Sequence, residues 1–370
     1  MIEHISLSDK GKEVARKINS NFDELWNGGG YNGELYDDKK PLRDIVANKS
    51  DKTFLFFSDI HNQATNMAHI VDVANRWADD GKLDFILNGG DTVSLQADSF
   101  DWYLDAVDDC DVDVVFALGN HELKGSGATK AICYTKFIAP SVQRLSNVVQ
   151  PTGASTNNLC YFYKDYGNLR VISYDTPNTN SLTPNASDTA AYLAAQDSWL
   201  ADVLADAKSN SKQVLILTHY PFLYEDVVLP EGAENWNSFY RYENGEVDTA
   251  AAWDIFDSTC QIVDTFINGG GKFIGWFTGH VHYNNFITNE RHPAQVMWNI
   301  GTARNDYGQA DMPYTTNPDN PNYDQFCYVG VDLTHHLLKI MKIGRTRCNQ
   351  LRLQNCICWD YGKHELVANG

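Results

Sequence analysis

The chain has 370 residues, 43% of them hydrophobic, with 48 acidic side chains against 29 basic ones and a formal net charge of −19. That length can bury a core in one large domain or in two. The charge opposes broad electrostatic binding to nucleic acid or to an anionic membrane surface, so a phosphate-bearing substrate needs local positive charge of the kind bound metal ions supply.

Residues 1–50 read as a separate N-terminal helical arm. Ser8 and Asp9 suit a helix cap, Val14, Ile18, Phe22 and Leu25 fall on one stripe at helical spacing, and Gly28, Gly29 and Gly30 end the pattern. Such a stripe suits packing against a core. No signal peptide is seen and no apolar run approaches transmembrane length, so a soluble chain is expected.

From residue 51 to about 340 strand-like and helix-like segments alternate, which predicts an α/β domain. Phe54, Leu55, Phe56 and Phe57 form an apolar run that ends in Asp59 and His61, as a buried strand would that delivers two polar side chains to a cleft. Four later stretches repeat the design. Phe85 to Leu87 leads through Gly89 and Gly90 to Asp91, and Val114 to Leu118 leads to Gly119, Asn120, His121 and Glu122. Val214 to Leu217 leads to His219, and Phe273 to Phe277 leads to Gly279, His280 and His282.

Helices are predicted over 67–79, with Ile70, Val71, Ala74 and Trp77 inward, over 100–107, and over 190–208, with Leu193, Trp199, Leu200, Val203 and Leu204 inward. Short strands are expected at 160–163 and 169–174, and a polar loop at 175–188. The aromatic insert 220–252 begins beside His219, where it suits either a wall of a substrate cleft or packing on the fold. Residues 303–325 read as a long surface loop and 341–370 as a C-terminal appendage. The eight cysteines are scattered apart from Cys348, Cys356 and Cys358, whose spacing fits no common zinc pattern.

Neutral imidazole and carboxylate are the ligands expected for zinc, manganese or iron, and the absence of cysteine argues against a structural zinc knot. Five strand ends that together present Asp59, His61, Asp91, Asn120, His219, His280 and His282 point to a metal site. In this respect the sequence resembles the calcineurin-like metallophosphoesterases. The family pattern D-x-H, G-D, G-N-H-(D/E), H and G-H-x-H stands here in order, from Asp59-Ile60-His61 to Gly279-His280-Val281-His282, and the resemblance spans roughly residues 51 to 335.

The resemblance implies a four-layer α-β-β-α sandwich with N- and C-terminal appendages and two metal ions, manganese, zinc or iron, at the strand ends. Asp59, His61 and His282 would hold one ion, Asn120, His219 and His280 the other, and Asp91 would bridge them. The pair would activate a bridging water for in-line attack on phosphorus. His121, similar to the family's non-ligand histidine, would donate a proton to the leaving alkoxide or stabilise the phosphoryl charge. Purple acid phosphatases carry glycine and tyrosine where this chain has His61 and Ser94, so an iron–tyrosinate site is not expected. A phosphodiester is slightly favoured over a monoester because no cationic side chain accompanies the motifs, although Lys124 and Arg304 could approach in space. The alternatives are a phosphomonoesterase and a phage virion-associated structural or binding module that retains the fold. Separately, Lys17 to Leu25 resembles a short helix near the N-terminus of phage tail and fibre proteins, which implies association with a phage particle or with further copies of the chain.

Overall fold

The strand and helix periodicities come to rest in two sheets, each backed by helices. The computed structural model describes residues 39–176, 187–221, 249–280, 282, 284–288, 291–303, 323–344 and 356–367. The apolar stripe from Val14 to Leu25, most of the aromatic insert, residues 304–322 of the surface loop expected over 303–325, and Cys348 lie outside the described residues.

In chain order, helix α1 (Lys40–Ala47) precedes β1 (Lys52–Phe57), α2 (Ala64–Asp79), β2 (Phe85–Asn88), α3 (Asp101–Asp108) and β3 (Asp113–Phe116). Next come β4 (Val148–Val149), β5 (Phe162–Tyr166), β6 (Leu169–Ser173), α4 (Ser187–Ser209), β7 (Gln213–Leu217), α5 (Thr249–Asn268) and β8 (Lys272–Thr278). The chain continues through β9 (Asn285–Thr288), β10 (Val296–Asn299), β11 (Gln325–Asp332), β12 (Leu337–Gly344), β13 (Cys356–Asp360) and β14 (Glu365–Leu366).

One sheet has the order β14-β13-β12-β11-β1-β2-β3 and the other β4-β5-β6-β7-β8-β10-β9. β1, β2 and β3 run parallel, as do β6, β7, β8 and β10. Their C-terminal ends form the edges where the polar turns emerge. The stretch set apart in sequence as 341–370 carries β13 and β14, and β13 pairs antiparallel with β12 from Leu337↔Asp360 to Met341↔Cys356.

Alternation along β1 builds the layers. Phe54 and Phe56 point between the sheets, where they meet Phe277 at ring-centroid distances of 5.4 and 5.2 Å. Leu55 and Phe57 point the other way, into a core shared with α1, α2 and α3. In α2, Met67, Ile70, Val73, Ala74 and Trp77 are fully buried on this face, and each large side chain so placed stabilises the fold by roughly 1.5–3 kcal/mol. On the far side Leu193, Leu200, Val203 and Leu204 of α4 pack with Phe256 and Val263 of α5 over the outer face of β6, β7 and β8. The result is helices, sheet, sheet, helices.

A buried polar contact ties α5 to the turn before β10. His292 sits between Asp264, 2.6 Å from its Nδ1, and Asp257, 3.3 Å from its Nε2. The Asp264 hydrogen bond, opposed by burial, raises the His292 pKa above its ordinary value of 6.5. A raised histidine pKa stabilises the fold fully below about 6.5, the unfolded value, and loses that contribution as pH rises through the folded value. We expect the stability gap between the wild type and His292→Gln in urea melts to shrink from pH 6 to pH 9. An unchanged gap would contradict the charged pairing.

Candidate metal centre

The polar turns after β1, β2, β3, β7 and β8 converge on one point, held by hydrogen bonds between turns. Asp59 N donates to Gly90 O at 2.9 Å, His61 N to Asp91 O at 3.0 Å, and Gly279 N to His219 O at 3.0 Å. His280 N donates to both carboxylate oxygens of Asp59, at 3.1 and 2.9 Å. The turn after β10 adds Thr302, whose hydroxyl donates to Asp59 O at 2.6 Å.

Five of the seven residues expected as ligands have left-handed backbones: Asp59 (φ 57°), His61 (44°), Asp91 (51°), His280 (73°) and His282 (62°). That conformation is uncommon for residues other than glycine, and it persists where surrounding contacts over-determine it. Here it turns each side chain inward from the end of its strand.

The structure brings the predicted donors together. Asp59 Oδ1 lies 3.2 Å from His282 Nε2, which lies 3.3 Å from His61 Nε2. Asp91 Oδ2 lies 3.3 Å from His219 Nε2 and 3.9 Å from His61 Nε2. Asn120 Oδ1 is 3.0 Å from His219 Nε2. His280 joins Asp91 and His219 in a group whose ligand atoms lie within 4.8 Å of one another, as do Asp59, His61 and His282.

These spacings suit metal ions. Two donors bound to one ion at about 2.1 Å, at angles between square and tetrahedral, stand roughly 3.0–3.4 Å apart. Two of the rings are held neutral. Burial, with His282 and His121 nearby, lowers the His61 pKa to about 3, and burial with the neighbouring His219 lowers His280 to about 3, so both rings offer lone pairs. His219 is pushed to about 9 against the effect of burial, by Asp91 and Asp59, which marks a strongly negative spot facing its Nε2. Its Nδ1 donates to Gly89 O at 2.7 Å, which leaves Nε2 to face Asn120 and Asp91. Thr176 holds this turn by accepting from Tyr220 N at 2.9 Å and from His219 N at 3.3 Å.

His121 stands at the mouth. Its Nδ1 donates to the carbonyl oxygen of Ser94 at 2.7 Å, and its Nε2 lies 3.9 Å from Asp91 Oδ2. Tyr220, the first residue of the aromatic insert, sets its ring edge-on to His280 with centroids 4.4 Å apart. Sequence reading left three supports unassigned. Asn299 donates its amide to Gly279 O, and Asn88 binds Gly90 N at 3.1 Å and Thr92 Oγ1 at 2.9 Å. Glu122 is fully buried and accepts from four backbone amides. Only the position of Glu122 beside His121 in the motif marked it in advance.

Two stacked sheets flanked by helices, with Asp, His and Asn gathered at the strand ends, define a metal-dependent hydrolase of the sandwich type. The model of the calcineurin-like phosphoesterase family matches residues 52–284, and the chain belongs to that family. It is a phosphoesterase. Among solved structures the chain is similar to a dimetal phosphatase from Danio rerio, at 13% identity and a TM-score of 0.51, over 80% of this chain and 98% of that one. It is also similar to a 5'-nucleotidase from Candida albicans, at 14% identity and a TM-score of 0.44, over 85% of this chain and 53% of that one. No curated protein sequence matches. Among the described residues no helix is long and apolar enough to cross a membrane.

Proposed function

We propose that the chain hydrolyses phosphodiesters at a centre in which Asp59, His61 and His282 hold one ion, Asn120, His219 and His280 hold the other, and Asp91 is shared. When bound, the ions supply positive charge to the phosphoryl oxygens and acidity to a water between them. The protein's own groups do the rest. The inter-turn hydrogen bonds hold the donors in place, so little reorganisation is needed as charge develops on phosphorus.

His121 is the proton donor of this reading. The Ser94 carbonyl takes its Nδ1 proton in a hydrogen bond and turns Nε2 toward the cluster. From there Nε2 passes a proton to the leaving oxygen, a task worth roughly 10²–10⁴ in rate for a positioned acid.

The observation that carries the diester preference is the company of the site carboxylates. Among the described residues, Asp59 and Asp91 face imidazoles and backbone amides, not lysine or arginine. Lys130, on a short helix that follows the His121 turn, is engaged with Asp175. A monoester dianion calls for cationic side chains beyond the metals, whereas a diester carries a single charge. The test compares bis-p-nitrophenyl phosphate with p-nitrophenyl phosphate, using protein stripped by chelator and then given manganese, zinc or iron separately. Metal-dependent turnover with higher kcat/KM on the diester is the expected result. A higher value on the monoester would move the chain to phosphatase chemistry.

A further inference from the structure

We infer that Glu122 is the positioning residue of the metal centre, the group that sets where the shared carboxylate of Asp91 stands. The inference rests on the reading of Asp91 as the ligand common to both ions.

Glu122 Oε2 accepts from Gly119 N at 2.7 Å and from Asp91 N at 3.1 Å. Its Oε1 accepts from Thr92 N at 2.7 Å and from Val93 N at 3.2 Å. One carboxylate therefore gathers three successive amides of the β2 turn and one amide of its own β3 turn. Consecutive backbone amides that converge in this way form an anion-binding concavity. In this chain its occupant is a side chain from the neighbouring turn.

The exchange is reciprocal. Asp91 Oδ1 accepts from His121 N at 2.8 Å, so each turn supplies a carboxylate to the backbone of the other. Gly119 lies at the contact, where a Cβ would be built into the Asp91 amide and side chain. Between them these bonds fix Asp91 in its left-handed conformation and hold the Asn120 turn against it.

Packing alone does not account for the residue. A carboxylate with no exposed surface is costly to bury, and here the four amides it accepts from offset that cost. What a carboxylate provides, and an apolar group cannot, is four acceptor directions that orient the amides on either side of a metal ligand.

The test uses the full chain, stripped of metal and titrated with manganese(II), with free ion followed by electron paramagnetic resonance and the bound ratio by equilibrium dialysis. Glu122→Gln keeps the volume but leaves one acceptor oxygen for four amides. It is expected to weaken manganese binding about 10- to 100-fold, the range for partners that orient metal ligands, and to lower kcat on bis-p-nitrophenyl phosphate by a similar factor. Glu122→Asp, which keeps the charge and shortens the reach, serves as the second variant and should show the same loss to a smaller degree. A purely structural joint would lower the melting temperature of the metal-free chain and leave manganese affinity and stoichiometry at wild-type values. That pattern, or failure of both variants to fold, would overturn the inference. If the wild type itself binds fewer than two manganese ions, the dinuclear reading fails instead, independently of Glu122.

Discussion

Asp91→Ala is expected to abolish measurable hydrolysis, with kcat lowered on the order of 10³-fold or more, beyond the usual cost of losing one charge-stabilising donor. Bound metal falls below two ions per chain. Asp91 is the acidic member of two donor groups at once, one with His61 and His121 and one with His219 and His280. Without it, His219 and His61 lose the carboxylate oxygen that stands 3.3 and 3.9 Å from their Nε2 atoms. The fold survives with a smaller loss. His121 N gives up its acceptor at 2.8 Å, which costs about 1–3 kcal/mol for a buried donor left unpaired. Steady-state kinetics and elemental analysis of the purified variant check both parts, and undiminished turnover would defeat the proposed centre.

Gly279→Ala is expected to have the next largest effect, although glycine has no side chain to offer a metal ion. The turns after β1 and β8 meet back to back, and a Cβ at position 279 would be built into the hydroxyl of Ser58 and the carboxylate of Asp59. Both residues are fully buried, so neither can retreat into solvent. The methyl group must push Asp59 away from His280 N and His282. Overpacking of this kind costs about 1–3 kcal/mol, and a ligand displaced by an ångström can cost about 10²-fold in rate. Urea melts and the manganese titration check the two effects separately. Wild-type stability with wild-type affinity would mean that the two turns do not meet as described.

Much of the centre was legible because its signal is local. An apolar run followed at once by a ligand type needs no knowledge of the fold, and Asp59, His61, Asp91, Asn120, His219, His280 and His282 all stand at strand ends where the pattern placed them. Helix periodicity was similarly direct. α2 begins three residues before the expected Met67, and Ile70, Val71, Ala74 and Trp77 are buried as read. Trp199 is only half-buried, since its indole packs beside Tyr161 and Tyr163 at the margin of the α4 face.

The remainder depended on contacts distant in sequence. β1 pairs with β11 across more than 270 residues, from Lys52↔Val331 to Phe56↔Cys327, and no local pattern encodes such a partner. The C-terminal strands were hidden for the same reason. Ile357 and Trp359 alternate as strand residues do, but a five-residue run becomes informative only once β12 is there to pair with it. From sequence Glu122 suits either a carboxylate that orients a metal ligand or a solvated side chain, and spacing does not choose between them. Its burial follows from the meeting of two turns, which sequence spacing does not reveal.

The most direct measurement is an anomalous difference map from crystals soaked in manganese(II). Two peaks about 3.5–4 Å apart are predicted, one among Asp59, His61 and His282, the other among Asn120, His219 and His280, with the Asp91 carboxylate between them. A single peak, peaks away from these side chains, or none at full soaking would contradict a dinuclear centre at the strand ends.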